Sequence, residues 1–417
     1  MINSSLAASI GLIIAILLII RKMAPVYALI LGAVIGGLLS GWGIQDTCSR
    51  MISGVKDITP AILRILSAGI LTGMLIKTKA AEKIALSIIS SLGHGFVYLA
   101  VAISTMLLTL TGVFIDVAVI TVAPIAAVAG AKAGLDRNRM LFALIGGGKC
   151  GNIMSPNPNT IIAAENFEAP LSSVMGANII PAIIGLAITV FIIIRLIPAR
   201  TPMQSSPEES GGQDELPSLW SSLAGPLTAI ALLALRPIAG ISIDPMIALP
   251  TGGLIGIAAT GRWKDGSICL RYGLDKMAPI AILLVGTGTI AGIIKASDIK
   301  DLLVNVISRW NVDGTFIATL SGALMSAATA STTAGATIAS ASFADVITAA
   351  GISSVWGAAL VNSGATILDH LPHGSFFHAT GGSLGMNVKE RLKLIPYETI
   401  TGFILALSGI IWCMIGA

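Results

Sequence analysis

Three of the chain's four histidines and one aspartate fall in a single stretch, Asn362–His378, which reads NSGATILDHLPHGSFFH. An apolar run ends in Asn-Ser-Gly and the pair Asp369-His370, breaks at Pro372, adds His373 and resumes with Phe376 and Phe377. Both flanks are apolar enough for a bilayer, where backbone that leaves the helix must be buried in protein or line a wet cavity. An aspartate at that depth costs roughly 2.5–3.5 kcal/mol on insertion scales, so it is a functional candidate by default. Histidine titrates near neutral pH and an acid partner tunes it, so Asp369 with His370 or His373 reads as a proton site.

A second constellation lies at Ser155-Pro-Asn-Pro-Asn-Thr160, where two prolines cannot continue the helix that starts near Met140. Two short apolar arms, Phe96–Leu108 and Val113–Val128, precede it and read as a re-entrant hairpin with its tip near Thr109–Gly112. The second half has an equivalent tip at Thr329-Ala-Ser-Thr-Thr333 and its own break at Asp369–Ser375. Helix N-termini at such breaks expose free N–H groups that suit a carboxylate, and Asn, Ser and Thr side chains suit hydroxyls. The expected binding set is therefore Thr111, Asn152, Ser155, Asn157, Asn159 and Thr160, facing Thr329, Ser331, Thr332, Thr333, Asn362, His373 and Ser375. Such a set fits a small hydroxylated anion. Any single Ser or Thr could equally fill a helix interface, a role that suits the Asn and Pro of the first break less well. Lys149 could supply positive charge to an anion or reach a carbonyl. Asp116, in the first hairpin, is a further buried acid for the proton, and Arg64, within the third span, reads as structural.

These groups need a membrane-spanning frame, and the composition supplies one. The 417 residues are 54% hydrophobic and 11% charged, with a mean hydropathy of +0.90, which makes a polytopic membrane protein. A net charge of +4 spread over short loops gives no footprint for nucleic acid. The four cysteines lack metal spacing, and Gly146–Lys149 lacks the spacing of a phosphate loop, so neither cofactor, metal nor enzyme chemistry is expected. The first apolar run, Leu6–Ile20, is followed rather than preceded by Arg21-Lys22, the reverse of a cleaved signal; it reads as a transmembrane helix with its N-terminus outside.

Two halves repeat. Pro25, Ala28, Leu29 and Gly32 return as Pro245, Ala248, Leu249 and Gly252; Pro60, Gly69 and Gly73 return as Pro279, Gly288 and Gly292; Gly148 and Pro156 return as Gly364 and Pro372. Half one has spans near Leu6–Ile20, Pro25–Trp42 and Ile58–Ile76, a basic interfacial segment Lys77–Ser90, the hairpin, the broken helix and a last span Val174–Ile197. Residues 1–199 and 219–417 are thus expected as two repeats, joined by a polar cytoplasmic linker over 200–218. Basic loops follow the first span, third span and hairpin of half one, but the second span and broken helix of half two. Arg262, Lys264, Arg271, Lys276, Lys389, Arg391 and Lys393 form the latter set. Lys295 and Lys300 would lie outside, offset by Asp298 and Asp301. All clusters reach the cytoplasm only if the halves are inverted. The expected fold is all-α: two inverted repeats, each of five transmembrane helices plus a re-entrant hairpin, with broken helices at the midplane. Both termini lie outside.

At Leu368–His378, continuing through Gly381-Gly382-Ser383 and Lys389–Glu398, the chain resembles the gluconate permease family of the ion-transporter superfamily. The resemblance implies a multi-pass protein of the cell inner membrane that imports a gluconate-like sugar acid by proton symport. It also implies a homodimer with a static scaffold and a moving, hairpin-bearing domain whose polar tips touch substrate. Some members take D-serine or other hydroxy acids, which remain alternatives. Neither tip carries the Ser-Asn-Thr tripeptide of dicarboxylate relatives, which disfavours the further alternative, a sodium-coupled carboxylate carrier.

Overall fold

A computed structural model describes residues 4–199, 201–203, 216–297, 313–372 and 374–416. Three helices open the chain: α1 (Ser4–Ile20), α2 (Pro25–Leu39) and the long α3 (Ile44–Lys77). An amphipathic α4 (Ala80–Leu92) leads to the arms α5 (Val97–Leu110) and α6 (Ile115–Lys132). Next come the broken helix α7 (Arg137–Ile153) and α8 (Pro158–Asn166), and a closing run of α9 (Leu171–Ala177), α10 (Ile179–Ile188) and, after a π turn, α11 (Ile194–Leu196). The order then returns: α12 (Leu219–Ala239), α13 (Pro245–Ala259) and α14 (Gly266–Lys295). Arms α15 (Gly314–Thr329) and α16 (Thr332–Ala349) follow, then the broken α17 (Ser354–Gly364) and α18 (Ser375–Ser383), the short α19 (Val388–Leu392) and the closing α20 (Ile395–Gly416). Six of the described helical stretches are long and apolar enough to cross a membrane, and five shorter apolar helices accompany them.

Helix contacts sort the elements into two bodies. In the first, α1 pairs with α2, α12 with α13, and α3 lies along α14, with α2 on α14 and α13 on α3 closing the group. Lipid offers no hydrophobic drive for helix pairing, so close approach of small residues must supply it. At the α3–α14 crossing a Cβ on Gly54 or Gly292 would collide with the facing backbone. In the second body α5 lies on α7, α15 on both α16 and α17, α10 on α20, and α8 on α16 and α17. Thinner seams join the bodies, through α3 with α8, α14 with α16, and α1 with α15.

Several boundaries differ from the sequence expectation. The third span starts at Ile44 rather than Ile58, because Pro60 is accommodated inside a 34-residue helix. The first hairpin turns after Thr109, which stays helical with its hydroxyl on the Thr105, Met106 and Gly148 carbonyls; Gly112, at φ +99°, makes the turn. The second tip is reduced to Ala330 and Ser331. The first break is short, 154–157, because Pro158 starts α8 at a position where no N–H is needed. The second spans 365–374 and begins well before Asp369. The linker's first residues fold back: Thr201 donates its N–H to Asp136 and its carbonyl accepts from Arg137. Residues 204–215 of that linker, with Asp298, Lys300 and Asp301, lie outside the described residues. Lys295, expected to be offset by Asp298 and Asp301, instead reaches Asp57 of α3 at 2.9 Å. Arg391, counted above as a loop charge, is 1% exposed and pairs with buried Glu398 under the Phe377 ring.

Candidate functional site

A cavity of about 570 Å³ lies between the two bodies. Three helix starts line it: Ile115 and Asp116 of α6, Thr332 to Ala334 of α16, and Ser375 and Phe376 of α18. The first N–H groups of a helix have no intrahelical partner. Ser331 satisfies one at α16 by accepting from the Ala334 N–H, whereas neither α6 nor α18 has a side-chain cap. Asn152, Thr329, Ser331 and Asp369 complete the polar wall. Lys276, Pro279, Ile280 and Leu283 of α14 form the opposite wall.

Asp369 is 2% exposed, and behind it stands Lys149, fully buried. Glycines explain how α7 delivers that lysine. Cβ atoms at Gly147 and Gly151 would meet the Ala102 and Met106 carbonyl oxygens of α5, so α5 lies flush on that face. Lys149 projects elsewhere, to the second break. Its ammonium has three protons and three partners: the Thr366 carbonyl at 2.6 Å, Asp369 Oδ1 at 2.5 Å and His370 Nδ1 at 3.0 Å. The other carboxylate oxygen, Asp369 Oδ2, accepts from the Thr332 hydroxyl at 2.6 Å. His370 Nε2 lies 3.1 Å from the Ile395 carbonyl and 3.0 Å from the Thr399 hydroxyl. His370 Nδ1 also lies 3.1 Å from Asp369 Oδ1, so the ring touches both members of the pair. His370 thereby fixes Lys149 from behind while α20 fixes His370.

The predicted binding residues divide into two groups. Asp116, Asn152, Thr329, Ser331, Thr332, Thr333, Asp369 and Ser375 come together on the cavity. The other described residues of the set do not line it. Asn159 donates to Asn362 Oδ1 at 2.7 Å, and Asn362 in turn donates to the Ile153 carbonyl and to Thr160 Oγ1. These amides clasp the two breaks to each other. Asn157 holds the Asn152 amide at 2.5 Å, and the Ser155 and Thr111 hydroxyls bond back to the carbonyls of Asn152 and Leu108. Lys149 and His370 form the second layer described above. His373 lies outside the described residues. Arg64, expected to be structural, pairs with Glu165 and Asp244. Sequence reasoning did not find the α20 contribution to the site. Its signal was Tyr397-Glu398-Thr399, adjoining the distinctive stretch that ends at Glu398.

The clasp gives one prediction. Asn159→Ala and Asn362→Ala should each lower thermal stability, and the double variant should show a coupling of about 1 kcal/mol in a double-mutant cycle. Strictly additive losses would mean that the two amides act separately.

Comparison with known proteins places the chain among membrane permeases. Residues 4–260 match the model of the GntP family permeases, and residues 222–311 match that of a Na+-H+ antiporter family. An uncharacterized transporter of Haemophilus influenzae is 48% identical over 404 residues, covering 97% of this chain and 96% of that protein. A high-affinity gluconate transporter of Escherichia coli K12 is 22% identical over 440 residues, covering 98% of each. The crystal structure of the Alcanivorax borkumensis YdaH transporter shares the fold, with a TM-score of 0.63 at 15% identity over 90% of this chain and 89% of that one.

Proposed function

The chain belongs to the GntP family of permeases, and on that footing we propose that it imports a small hydroxylated carboxylate, a gluconate-like sugar acid, by proton symport. The observation that carries this reading is the wall in which uncapped helix starts converge beside Asp369, itself paired with a fully buried lysine. A substrate carboxylate takes the N–H groups at the starts of α16 and α18 and the hydroxyls of Thr333 and Ser375. Sugar hydroxyls take Asn152, Thr329 and Ser331.

Coupling follows from charge. With Asp369 ionised, Lys149 is neutralised and an incoming carboxylate meets a negative group. A proton on Asp369 removes that charge and leaves the Lys149 ammonium uncompensated, which favours the anion. Proton and substrate therefore raise each other's affinity, the reciprocity that symport requires. Affinity should rise as pH falls. The clasped breaks and hairpins act as the moving body, and α1–α3 with α12–α14 act as the frame, in the membrane-inverted arrangement that places basic loops in the cytoplasm. In that orientation the cavity, which reaches Pro25 and Lys276, opens inward, in a homodimer of the cell inner membrane.

Two measurements test this. In proteoliposomes, uptake of labelled gluconate should collapse with a protonophore and be indifferent to sodium; sodium dependence would instead select the carboxylate-carrier reading. Cysteines placed in the linker at 204–215 should react only with a reagent on the cytoplasmic side, and labelling from outside alone would overturn the inversion. Asp116 on the same cavity favours a second reading, a zwitterionic hydroxy amino acid such as D-serine, with its ammonium on that carboxylate. A competition panel of sugar acids against D-serine separates the two.

A further inference from the structure

Two helices connect the cavity described above with a smaller one. Along α14 the first cavity is lined at 276–283 and the second at 291–295. Along α16 they are lined at 332–334 and 340–346. At a rise of about 1.5 Å per residue their nearest lining residues lie about 9–12 Å apart along these helices, on opposite sides of the same seam. The second cavity is about 180 Å³ and is rimmed by Asp57, Glu165, Glu168, Asp345 and Lys295. An anion would be repelled there, so it is not a second binding site for the proposed substrate. In the inward-open orientation proposed above it has the position of the closed outer entrance.

Arg64 reaches that rim through Glu165. This arginine, on α3, forms a forked pair with Asp244, which caps α13, and a second ion pair with Glu165 near the end of α8. The two pairs differ in what they join. Arg64–Asp244 lies within the frame, where α3 and α13 pack extensively, whereas Arg64–Glu165 crosses the thin seam between α3 and α8. Helix α8 also carries Asn159 and Thr160 of the clasp, so whatever holds α8 holds both breaks. All three groups line a further cavity of about 340 Å³ together with Ser172, Arg236 and Ser242, so the pair can part within a polar recess.

We propose that Arg64 is a positioning residue for the transport step: through Glu165 it sets the resting register of the moving body, keeping the first cavity open and the second shut. Asp244 keeps the guanidinium aimed while Glu165 comes and goes. The proposal rests on the transport reading above, and the test separates the two.

The experiment uses the full chain in proteoliposomes, with the four native cysteines replaced and single reporters at Ile280→Cys in the first cavity or Ala341→Cys in the second. Accessibility is read with a small maleimide, with and without a proton gradient plus gluconate. In the parent, Ile280→Cys should label faster at rest. Glu165→Gln should raise Ala341→Cys labelling and lower Ile280→Cys labelling by roughly three- to fivefold each, the range over which one part-exposed ion pair can move a two-state balance. Asp244→Asn, which leaves the seam-crossing pair in place, should move neither by more than about twofold. Glu165→Asp, a shorter carboxylate, should restore part of the parent ratio, which loss of folding would not allow. If the parent's labelling shifts under gradient and substrate but Glu165→Gln leaves the resting ratio unchanged, Arg64 has no such role. If the parent's labelling does not respond at all, the alternating reading itself fails.

Discussion

Proteoliposomes carrying Asp369→Asn should exchange substrate across the membrane yet fail to concentrate it under an imposed proton gradient. Asparagine keeps the shape of the carboxylic acid and can accept from Thr332 or Lys149, so the wall keeps its form. It cannot take up or release a proton. The variant is frozen in the state that protonation would create, with Lys149 uncompensated behind the cavity wall. Substrate affinity at neutral pH should therefore equal or exceed that of the parent, and its pH dependence should flatten. The parent should bind more tightly as pH falls, because protonation of Asp369 removes negative charge beside the carboxylate. Accumulation ratios and equilibrium binding at three or more pH values check both halves. Should Asp369→Asn still accumulate substrate, the proton rides elsewhere, with Asp116 as the next cavity acid to test.

The sequence shows clearly which segments break and much less clearly which polar groups face the cavity. Proline pairs and the Asp-His-Leu-Pro-His run mark chain that cannot stay helical, and both places are breaks in the structure. Pro25 and Pro245, matched in the sequence, each open a helix, α2 and α13. The extent of each break was less legible, since Pro158 begins a helix while α17 already ends at Gly364, eight residues before Pro372. Among the polar residues, Asn159 and Ser331 look alike on paper: each is a small polar group at a helix start. Only the packing decides that Asn159 meets Asn362 from the other half, whereas Ser331 faces the cavity. Arg391 shows the same limit for charge. A loop arginine and a buried one read identically until Glu398, seven residues on, is placed against it.

Replacing Lys149 should have the largest effect on folding of any single change at the site. Lys149→Met leaves a chain of similar length but strips Asp369, only 2% exposed, of its counter-ion. Breaking a buried pair by removing one partner typically costs about 3–5 kcal/mol, because the remaining charge is stranded. The variant should therefore melt far below the parent at neutral pH. It should recover stability as pH falls, since a proton on Asp369 removes the stranded charge. Asp369→Asn alone strands the opposite charge, but Lys149 then still donates to the Thr366 carbonyl and to His370, so the loss should be smaller. The double variant Lys149→Met/Asp369→Asn has no charge left to strand and should regain most of the stability lost by Lys149→Met. It should not regain transport, because neither the proton carrier nor the buried positive charge remains. Melting curves of the three variants across pH, read beside gluconate accumulation, test the arrangement as a unit. If Lys149→Met melts like the parent, or if the double variant transports, then Lys149 and Asp369 do not form the coupled pair that this geometry describes.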